Sequence, residues 1–190
     1  MRHCRVLSWI LTAVVALPLA GCADSGGIGV PTAPSSVSAA PAPNGGLTTL
    51  RLENAPFKGR DSGTFEFTQD SCAAGLAPLR THTTGTGTLI GAYSFETQEC
   101  FDTSAFTFSG SFTIAAANGD TLIGAYAGNL TGFLDDVTST YAFTATVTGG
   151  TGRFAGATGT FSGTGQANLA TFQEARAFSG TMSGVARSHS

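Results

Sequence analysis

Apolar and hydroxyl-bearing residues alternate along the chain from Leu47 onward. Between Ala105 and Ile114, phenylalanine, glycine and isoleucine occupy the even positions, and threonine and serine fill most of the odd ones. This period of two is typical of a β-strand with one buried face. About eight such segments occur, near residues 48–54, 62–69, 82–98, 104–116, 120–131, 138–148, 157–170 and 175–186. No segment has helical periodicity, so the pattern predicts an all-β domain.

Glycine and aromatic residues are mixed on the apolar parity of these segments. Glycine permits strong strand curvature, and closure of a sheet leaves no unpaired edge. The pattern therefore predicts a single antiparallel eight-stranded barrel. A sandwich of two packed sheets is the alternative. The residues predicted to line the lumen are Phe106, Phe108, Phe112, Tyr126, Tyr141, Phe143, Phe161 and Phe178.

The same mixture suggests what the lumen holds. Because glycine removes side-chain volume, we expect some dry, aromatic space near the wider mouth of the barrel. A small apolar molecule there would gain about 25 cal/mol for each Å² removed from water. Enlargement of Gly128 or Gly163 to Leu is then expected to abolish its binding.

The segment GGTGRFAGATG, residues 149–159, is the most glycine-rich part of the domain. Glycine at this density allows backbone angles that other residues avoid. We interpret the segment as a corner between two long strands, with Phe154 pointing inward and Arg153 outward. A phosphate-binding loop is the alternative and fits poorly. A strand pattern follows where a helix should begin, and no Lys-Ser/Thr pair follows the glycines.

The sequence AANGD, residues 116–120, is a strong turn signal. A two-residue Asn-Gly turn would place Phe112 opposite Ala125. A three-residue loop with a left-handed Gly119 would instead pair Phe112 with Gly124. This second register sets an aromatic residue opposite each nearby glycine, including Gly110 with Tyr126 and Phe108 with Gly128, so it is the one we predict.

The N-terminus has the features of an export signal. Residues 1–5 are basic, residues 6–19 are apolar, and the run ends in Leu19-Ala20-Gly21-Cys22. This ending resembles the lipobox of bacterial lipoproteins, which implies a signal peptide over 1–21 and lipidation of Cys22. An ordinary secretory signal is the alternative. Residues 22–46 are rich in proline, serine, alanine and glycine and are predicted to form a flexible, disordered linker. The β-barrel domain follows over 47–190.

The lipobox resemblance implies a location in the bacterial cell envelope, on the periplasmic or extracellular face. The expected partner there is the membrane, reached through the N-terminal lipid anchor. Only 11% of residues are charged, and removal of the leader leaves seven basic residues against twelve acidic ones. This negative balance argues against nucleic acid as a partner. No cofactor is expected, and a histidine-based metal site is unfavoured because His82 is the only histidine among the predicted strands.

Two cysteines remain after the leader and Cys22 are set aside. In an exported protein, Cys72 and Cys100 are expected to form a disulfide. A catalytic thiol is the alternative. If 62–69 and 82–98 formed a simple hairpin, the cysteines would lie toward opposite ends. The disulfide therefore requires either that the 70–81 loop folds back or that the long strand breaks near Gly91.

Candidate catalytic residues are few. Glu174 and Arg176 share the parity of Phe178 and Met182, so they could point into the lumen as a pair. A β-bulge before Phe178 would instead turn them outward. Glu66 and Glu96 lie on the opposite parity and are interpreted as solvated.

The GGTGRFAGATG segment, preceded about thirty residues earlier by AANGDTL, resembles bacterial secreted proteins related to the allene oxide cyclase and dirigent barrels. The resemblance covers residues 60–186 and implies an eight-stranded barrel. The plant enzymes of this group guide cyclisation or coupling of an apolar substrate, but none of their catalytic residues carries over to a position here. The expected function is therefore a surface-tethered lipoprotein that binds a small apolar ligand or a partner, or that has a structural role. A cyclase- or isomerase-like enzyme acting in the lumen is the alternative.

Overall fold

The computed structural model describes residues 50–186. The predicted signal peptide, the lipidation site at Cys22 and the linker lie outside the described residues. Within them, the chain is almost entirely β-structure, with one turn of 3-10 helix at Gly152–Phe154. No helix in this part of the chain is long and apolar enough to cross a membrane.

The strands form a closed antiparallel barrel in which each strand pairs with its neighbours in sequence. Eight strands, β2 to β9, make the barrel, and β9 pairs with β2 to close it. This confirms the predicted barrel and rules out the sandwich. The strands are β1 (Arg51–Leu52), β2 (Ala55–Phe67), β3 (Leu76–Gly87), β4 (Gly91–Asp102), β5 (Thr107–Ala116), β6 (Thr121–Phe133), β7 (Thr138–Gly150), β8 (Thr158–Asn168), β9 (Gln173–Ser183) and β10 (Val185–Ala186).

Two predicted strand segments were wrong. The segment 82–98 is not one strand, because the chain turns between β3 and β4. Leu89 and Gly91 in this turn have φ angles of 63° and 74°. The first predicted segment, 48–54, does not enter the barrel. Its strand β1 pairs instead with β10 in a separate two-stranded ribbon. The errors cancel, so the number of barrel strands remains eight.

The break at Gly91 brings the two cysteines to the same end of the barrel. Cys100 lies opposite Pro78 near the end of β4, and Cys72 lies in the preceding β2–β3 loop. The two form the predicted disulfide, with their Cα atoms 5.8 Å apart. Closing a loop of this length stabilises a fold by about 3–4 kcal/mol in the chain-entropy model.

The predicted register of the β5–β6 hairpin is confirmed. Phe112 pairs with Gly124, Gly110 with Tyr126, and Phe108 with Gly128. Gly119 has a φ of 87°, and its amide donates to the carbonyl of Ala116. The rings of Phe112 and Phe108 therefore cover Gly124 and Gly128, as the predicted pairing requires.

The rings fill the middle of the lumen, which corrects one expectation. A Cβ added at Gly163 would contact the ring of Phe143, and one added at Gly128 would contact Phe108. Phe57, Phe161 and Phe178 pack together nearby, with ring centroids 4.9–5.3 Å apart. The glycines thus make room for neighbouring rings, so a leucine at Gly128 or Gly163 would collide with those rings and not with a ligand.

The glycine-rich segment closes one end of the barrel. It forms the β7–β8 corner, and Phe154 points inward and is fully buried. Arg153 was predicted to point outward, but its side chain contacts two neighbouring turns. Its guanidinium donates to the carbonyl of Ile90 at 3.0 Å and lies 3.5 Å from the carboxylate of Asp120. The side chain is therefore folded across this closed end and fastens it to two neighbouring turns.

Candidate functional site

A cavity of about 240 Å³ opens at the opposite end of the barrel. This open end is formed by the last residues of β2, β4, β6 and β8 and the first residues of their partner strands. Its walls are mostly apolar, with Leu79, Phe108, Leu130 and Ala167 among them, while Glu99, Tyr141 and Glu174 supply polar groups. We call this space the mouth cavity.

Glu174 and Arg176 both point inward, and no bulge turns them out. The side chains are only 8% and 4% exposed, and Arg176 Nη1 lies 3.7 Å from Glu174 Oε1. Their strand β9 pairs continuously with β8 through this region, so the alternation of Phe178 and Met182 extends to both residues. The sequence left two orientations open for this pair, and the structure has the inward one.

Arg176 is held mainly by groups below the cavity. Its Nε donates to Asp61 Oδ1 at 2.7 Å, and its Nη2 donates to Thr83 Oγ1 at 2.8 Å. Tyr93 donates its hydroxyl to the other oxygen of Asp61 at 2.8 Å. The guanidinium also lies 3.8 Å from the ring centroid of Phe95, within cation–π range. This network fixes Arg176 between the aromatic core and the mouth cavity.

Glu99 is the second carboxyl of the mouth cavity. It accepts a hydrogen bond from the Tyr126 hydroxyl. Burial, reinforced by the negative charge of Glu174 and opposed by Arg176, raises the pKa of Glu99 to about 8. The Glu99 carboxyl is therefore largely protonated at neutral pH and can donate as well as accept a proton.

Glu174 is buried with one oxygen poorly satisfied. Tyr141 donates weakly to Oε2 at 3.4 Å, whereas Oε1 has no hydrogen-bond partner among the described residues. Burial raises the pKa of Glu174, although the charge of Arg176 opposes the shift. A buried carboxylate oxygen without a donor is costly, and a ligand that donates a hydrogen bond would relieve that cost.

Exposed hydrophobic side chains surround the opening. Phe106, Phe133 and Leu134 are 50%, 57% and 61% exposed. Other large exposed apolar residues at this end are Phe67, Val137, Leu169 and Phe172. Contiguous exposed apolar surface at the rim of a cavity is typical of ligand or partner binding. We call these seven residues the mouth rim.

The predicted lumen residues occupy three environments. Phe108 is partly buried beside the core and contributes to the cavity wall, whereas Phe106 lies in the β4–β5 turn at φ 55° and belongs to the mouth rim. Phe106 was predicted to line the lumen, and this prediction is wrong. The residue precedes β5, which begins at Thr107. The remaining six are buried in the core: Phe112, Tyr126, Tyr141, Phe143, Phe161 and Phe178.

Sequence reasoning missed two acidic residues of the site. Glu99 has the parity of Tyr93 and Phe95, so the alternation alone could have placed it inside. Asp61 has the parity of Phe57 and Phe65, but glycines on either side interrupt the apolar pattern, and the strand was predicted to begin only at residue 62.

The outer wall of the barrel carries the solvated charges. His82 and Glu96 face each other there, with Nδ1 and Oε1 3.4 Å apart and both side chains more than half exposed. Glu66 is exposed on the same outer face, as interpreted from its parity. Within residues 50–186, no three His, Cys, Asp or Glu side chains are grouped closely enough to hold a metal ion.

The protein should become less stable as pH rises through the neutral range. Because folding raises the Glu99 pKa from 4.5 to about 8, the folded state holds a proton that the unfolded chain has released. The stabilisation is complete below about pH 4.5 and is lost as pH approaches about 8. Glu99→Gln, which keeps a neutral side chain, should reduce this loss by roughly 2–4 kcal/mol in urea unfolding at several pH values.

Glu96→Gln is the matched control for this measurement, because Glu96 lies on the same strand with its side chain exposed outside the barrel. It should leave the slope of stability against pH unchanged. An equal slope in wild type and Glu99→Gln would contradict the assignment of the buried proton to Glu99.

No family model, curated protein or solved structure matches this chain. The function proposed below is therefore argued from the mouth cavity and its residues.

Proposed function

We propose that the barrel binds a small, mostly apolar molecule in the mouth cavity. The observation that carries the proposal is the mouth cavity itself, which combines apolar walls with inward-facing carboxyl groups. Ligand pockets typically combine an apolar lining with a few polar groups that fix orientation. The exposed aromatic residues of the mouth rim would give an apolar molecule its first contact on the way in.

The lumen geometry limits where such a molecule can bind. Phe154, Leu122 and Met182 are fully buried at the closed end, and the aromatic core fills the middle. The ligand would therefore occupy only the open end and contact Glu99 and Glu174 at its inner limit. Ordering of the rim residues around the ligand would remove their apolar surface from water.

Ala167→Leu should abolish binding without unfolding the barrel. Ala167 lies in the cavity wall, so a larger side chain there would occupy the space that the ligand needs. Isothermal titration with a panel of fatty acids, terpenoids and small aromatic compounds should give heat with wild type and at least about tenfold weaker binding with the variant. Ala175→Leu is the matched control, because Ala175 is exposed on the outer face of the neighbouring strand.

An absence of heat and of thermal shift across the panel would overturn the proposal. Equal loss of binding in Ala167→Leu and Ala175→Leu would also contradict it, since only the first substitution enters the mouth cavity.

We also propose that a lipid at Cys22 holds this barrel at the bacterial cell envelope, facing the periplasm or the exterior. The support is the sequence Leu19-Ala20-Gly21-Cys22 at the end of an apolar leader. Two or more acyl chains anchor firmly because each buried methylene contributes about 0.8 kcal/mol.

Cys22→Ser should move the protein from the detergent phase to the aqueous phase and block lipoprotein-type processing. Detergent-phase partitioning of metabolically labelled cells measures both effects. Partitioning that is the same in wild type and variant would rule out the lipid anchor.

A cyclase- or isomerase-like enzyme related to the allene oxide cyclase and dirigent barrels is the second candidate. The favouring observation is the pair of buried carboxyls, since a largely protonated Glu99 could donate a proton while Glu174 accepts one. Chromatography of unsaturated fatty-acid epoxides incubated with the protein would test this. An isomerised product that disappears in Glu99→Gln would favour the enzyme, and unchanged substrate would favour binding alone.

A further inference from the structure

We propose that the ligand of the mouth cavity carries a cationic amine on its apolar body, and that Glu174 and Glu99 bind this amine. The inference rests on the proposed function, because it names the class of ligand for the same cavity. It follows from the balance of buried charges, from one unsatisfied oxygen and from the volume of the space.

The charges around the cavity are unequal. Asp61, Glu99 and Glu174 are acidic, and Arg176 is the only basic residue that contacts them among the described residues. Arg176 makes its short hydrogen bonds to Asp61 and Thr83, at 2.7 and 2.8 Å. Its 3.7 Å separation from Glu174 is too long for a hydrogen bond. Arg176 is therefore hydrogen-bonded to Asp61 and lies only within ion-pair distance of Glu174, so three acidic side chains share a single cation.

Glu174 Oε1 indicates which type of ligand group would fit the cavity. This oxygen is buried, lies in a side chain that is 8% exposed, and has no hydrogen-bond donor among the described residues. An ionised carboxylate only accepts hydrogen bonds, whereas an ammonium offers three donors and no acceptor. A primary amine at this position could bond Glu174 Oε1 and still reach Glu99.

Other polar groups are less suitable. A carboxylate would add a second negative charge beside the buried carboxylate of Glu174, which is unfavourable at low dielectric. A hydroxyl would satisfy one oxygen but would add no positive charge beside acidic side chains that share a single cation. Asp102 at the end of β4 and Asp135 and Asp136 in the β6–β7 loop also lie at the open end, so the approach to the cavity favours a cation.

The volume sets the size of the apolar body. A dry cavity of about 150 Å³ is enough for benzene. The mouth cavity, at about 240 Å³, therefore suits a molecule of roughly ten non-hydrogen atoms. An aromatic or branched alkyl amine of this size would contact the apolar walls with its body and the glutamates with its nitrogen.

Binding of an ammonium should release a proton. The groups facing Glu99 are Glu174 and Arg176 on β9, Tyr126 on β6 and Tyr141 on β7, with Asp61 on β2 beyond them. In the free protein the pKa of Glu99 is about 8, and a nearby positive charge would favour its ionised form. Affinity for the amine should therefore rise as pH increases toward about 8, by up to about tenfold for each pH unit.

Isothermal titration of the exported protein with phenylpropylamine, phenylpropanol and phenylpropanoate tests the inference. Near neutral pH the amine should bind at least about tenfold more tightly than the alcohol, and the anion most weakly. Titrations in buffers of different ionisation enthalpy should show proton release with the amine only. Glu174→Gln should reduce the affinity for the amine to that for the alcohol. Asp136→Asn, which removes an exposed charge at the same end, should keep the preference.

The outcomes separate this inference from the proposed function. Equal binding of amine and alcohol, with both lost in Ala167→Leu, would overturn the amine preference and leave the binding function standing. Tight amine binding that survives Glu174→Gln and Glu99→Gln would also overturn it, because the nitrogen would then lie elsewhere. No binding of any of the three compounds would count against both proposals.

Discussion

Replacement of Arg176 by Met is expected to lower the free energy of unfolding by about 3–5 kcal/mol. The guanidinium side chain is 4% exposed and makes its shortest bond to Asp61, whose side chain is fully buried. Removal of the cation would leave the carboxylates of Asp61 and Glu174 without their positive neighbour, inside a barrel whose other contents are largely aromatic. Urea unfolding of the two proteins at neutral pH measures the difference.

Arg80→Met is the matched control. Arg80 also donates its Nε to an aspartate, Asp70, at 2.8 Å, but these two side chains are 47% and 45% exposed. Water can replace the lost contact there, so the cost should be below about 1 kcal/mol. Equal losses in the two variants would mean that burial does not decide the strength of the Asp61–Arg176 pair.

Phe154→Ala should destabilise the barrel by a similar amount, about 3–5 kcal/mol. Its ring is fully buried at the closed end and belongs to the hydrophobic core. The substitution would leave a cavity that the glycine-rich corner cannot easily fill, since this corner is fixed by Arg153 and its bonds to neighbouring turns. Thermal and urea unfolding, compared at the same pH, measure the loss.

Phe133→Ala is the control at the other end of the barrel, where the ring is 57% exposed. It should change stability by less than about 1 kcal/mol while reducing the apolar surface of the mouth rim. A loss in Phe154→Ala as small as that in Phe133→Ala would contradict the role of Phe154 in closing the barrel.

Alternation along the strands predicted the parts of the fold that depend on burial. Phe112 and Gly124 could be paired from the sequence because a ring opposite a glycine buries apolar surface from both strands. Phe154 could be directed inward because it is the only large apolar residue among the glycines of its corner. These features follow from local sequence and from the requirement that a barrel interior be filled.

The β3–β4 turn could not be predicted from the alternation of apolar and polar residues. Leu89 adopts a left-handed conformation that leucine seldom takes, and the period of two continues through the turn to Tyr93. Closure of the barrel decides the position of this turn, and the Cys72–Cys100 bond lies at the opposite end of the β3–β4 hairpin. The alternation alone therefore predicted one strand where the structure has two.

The candidate site was only half accessible to sequence reasoning. The parity of Glu174 and Arg176 pointed inward, but Asp61 and Glu99 lie on strands more than seventy residues away in the chain. Only the closed pairing of β9 with β2 brings Asp61 to Arg176. The cavity itself arises because the aromatic rings fill the middle of the lumen and stop short of the open end.

The most direct test of the mouth cavity is to map where a ligand contacts the protein. Amide chemical shifts of the isotopically labelled exported protein can be followed by NMR as phenylpropylamine is added. The account predicts that shift changes concentrate at Leu79, Glu99, Ala167 and Glu174, and that residues of the closed end such as Leu122 stay unchanged. Changes confined to the outer wall or to the closed end, or no saturable change at any residue, would contradict a ligand site at the open end of the barrel.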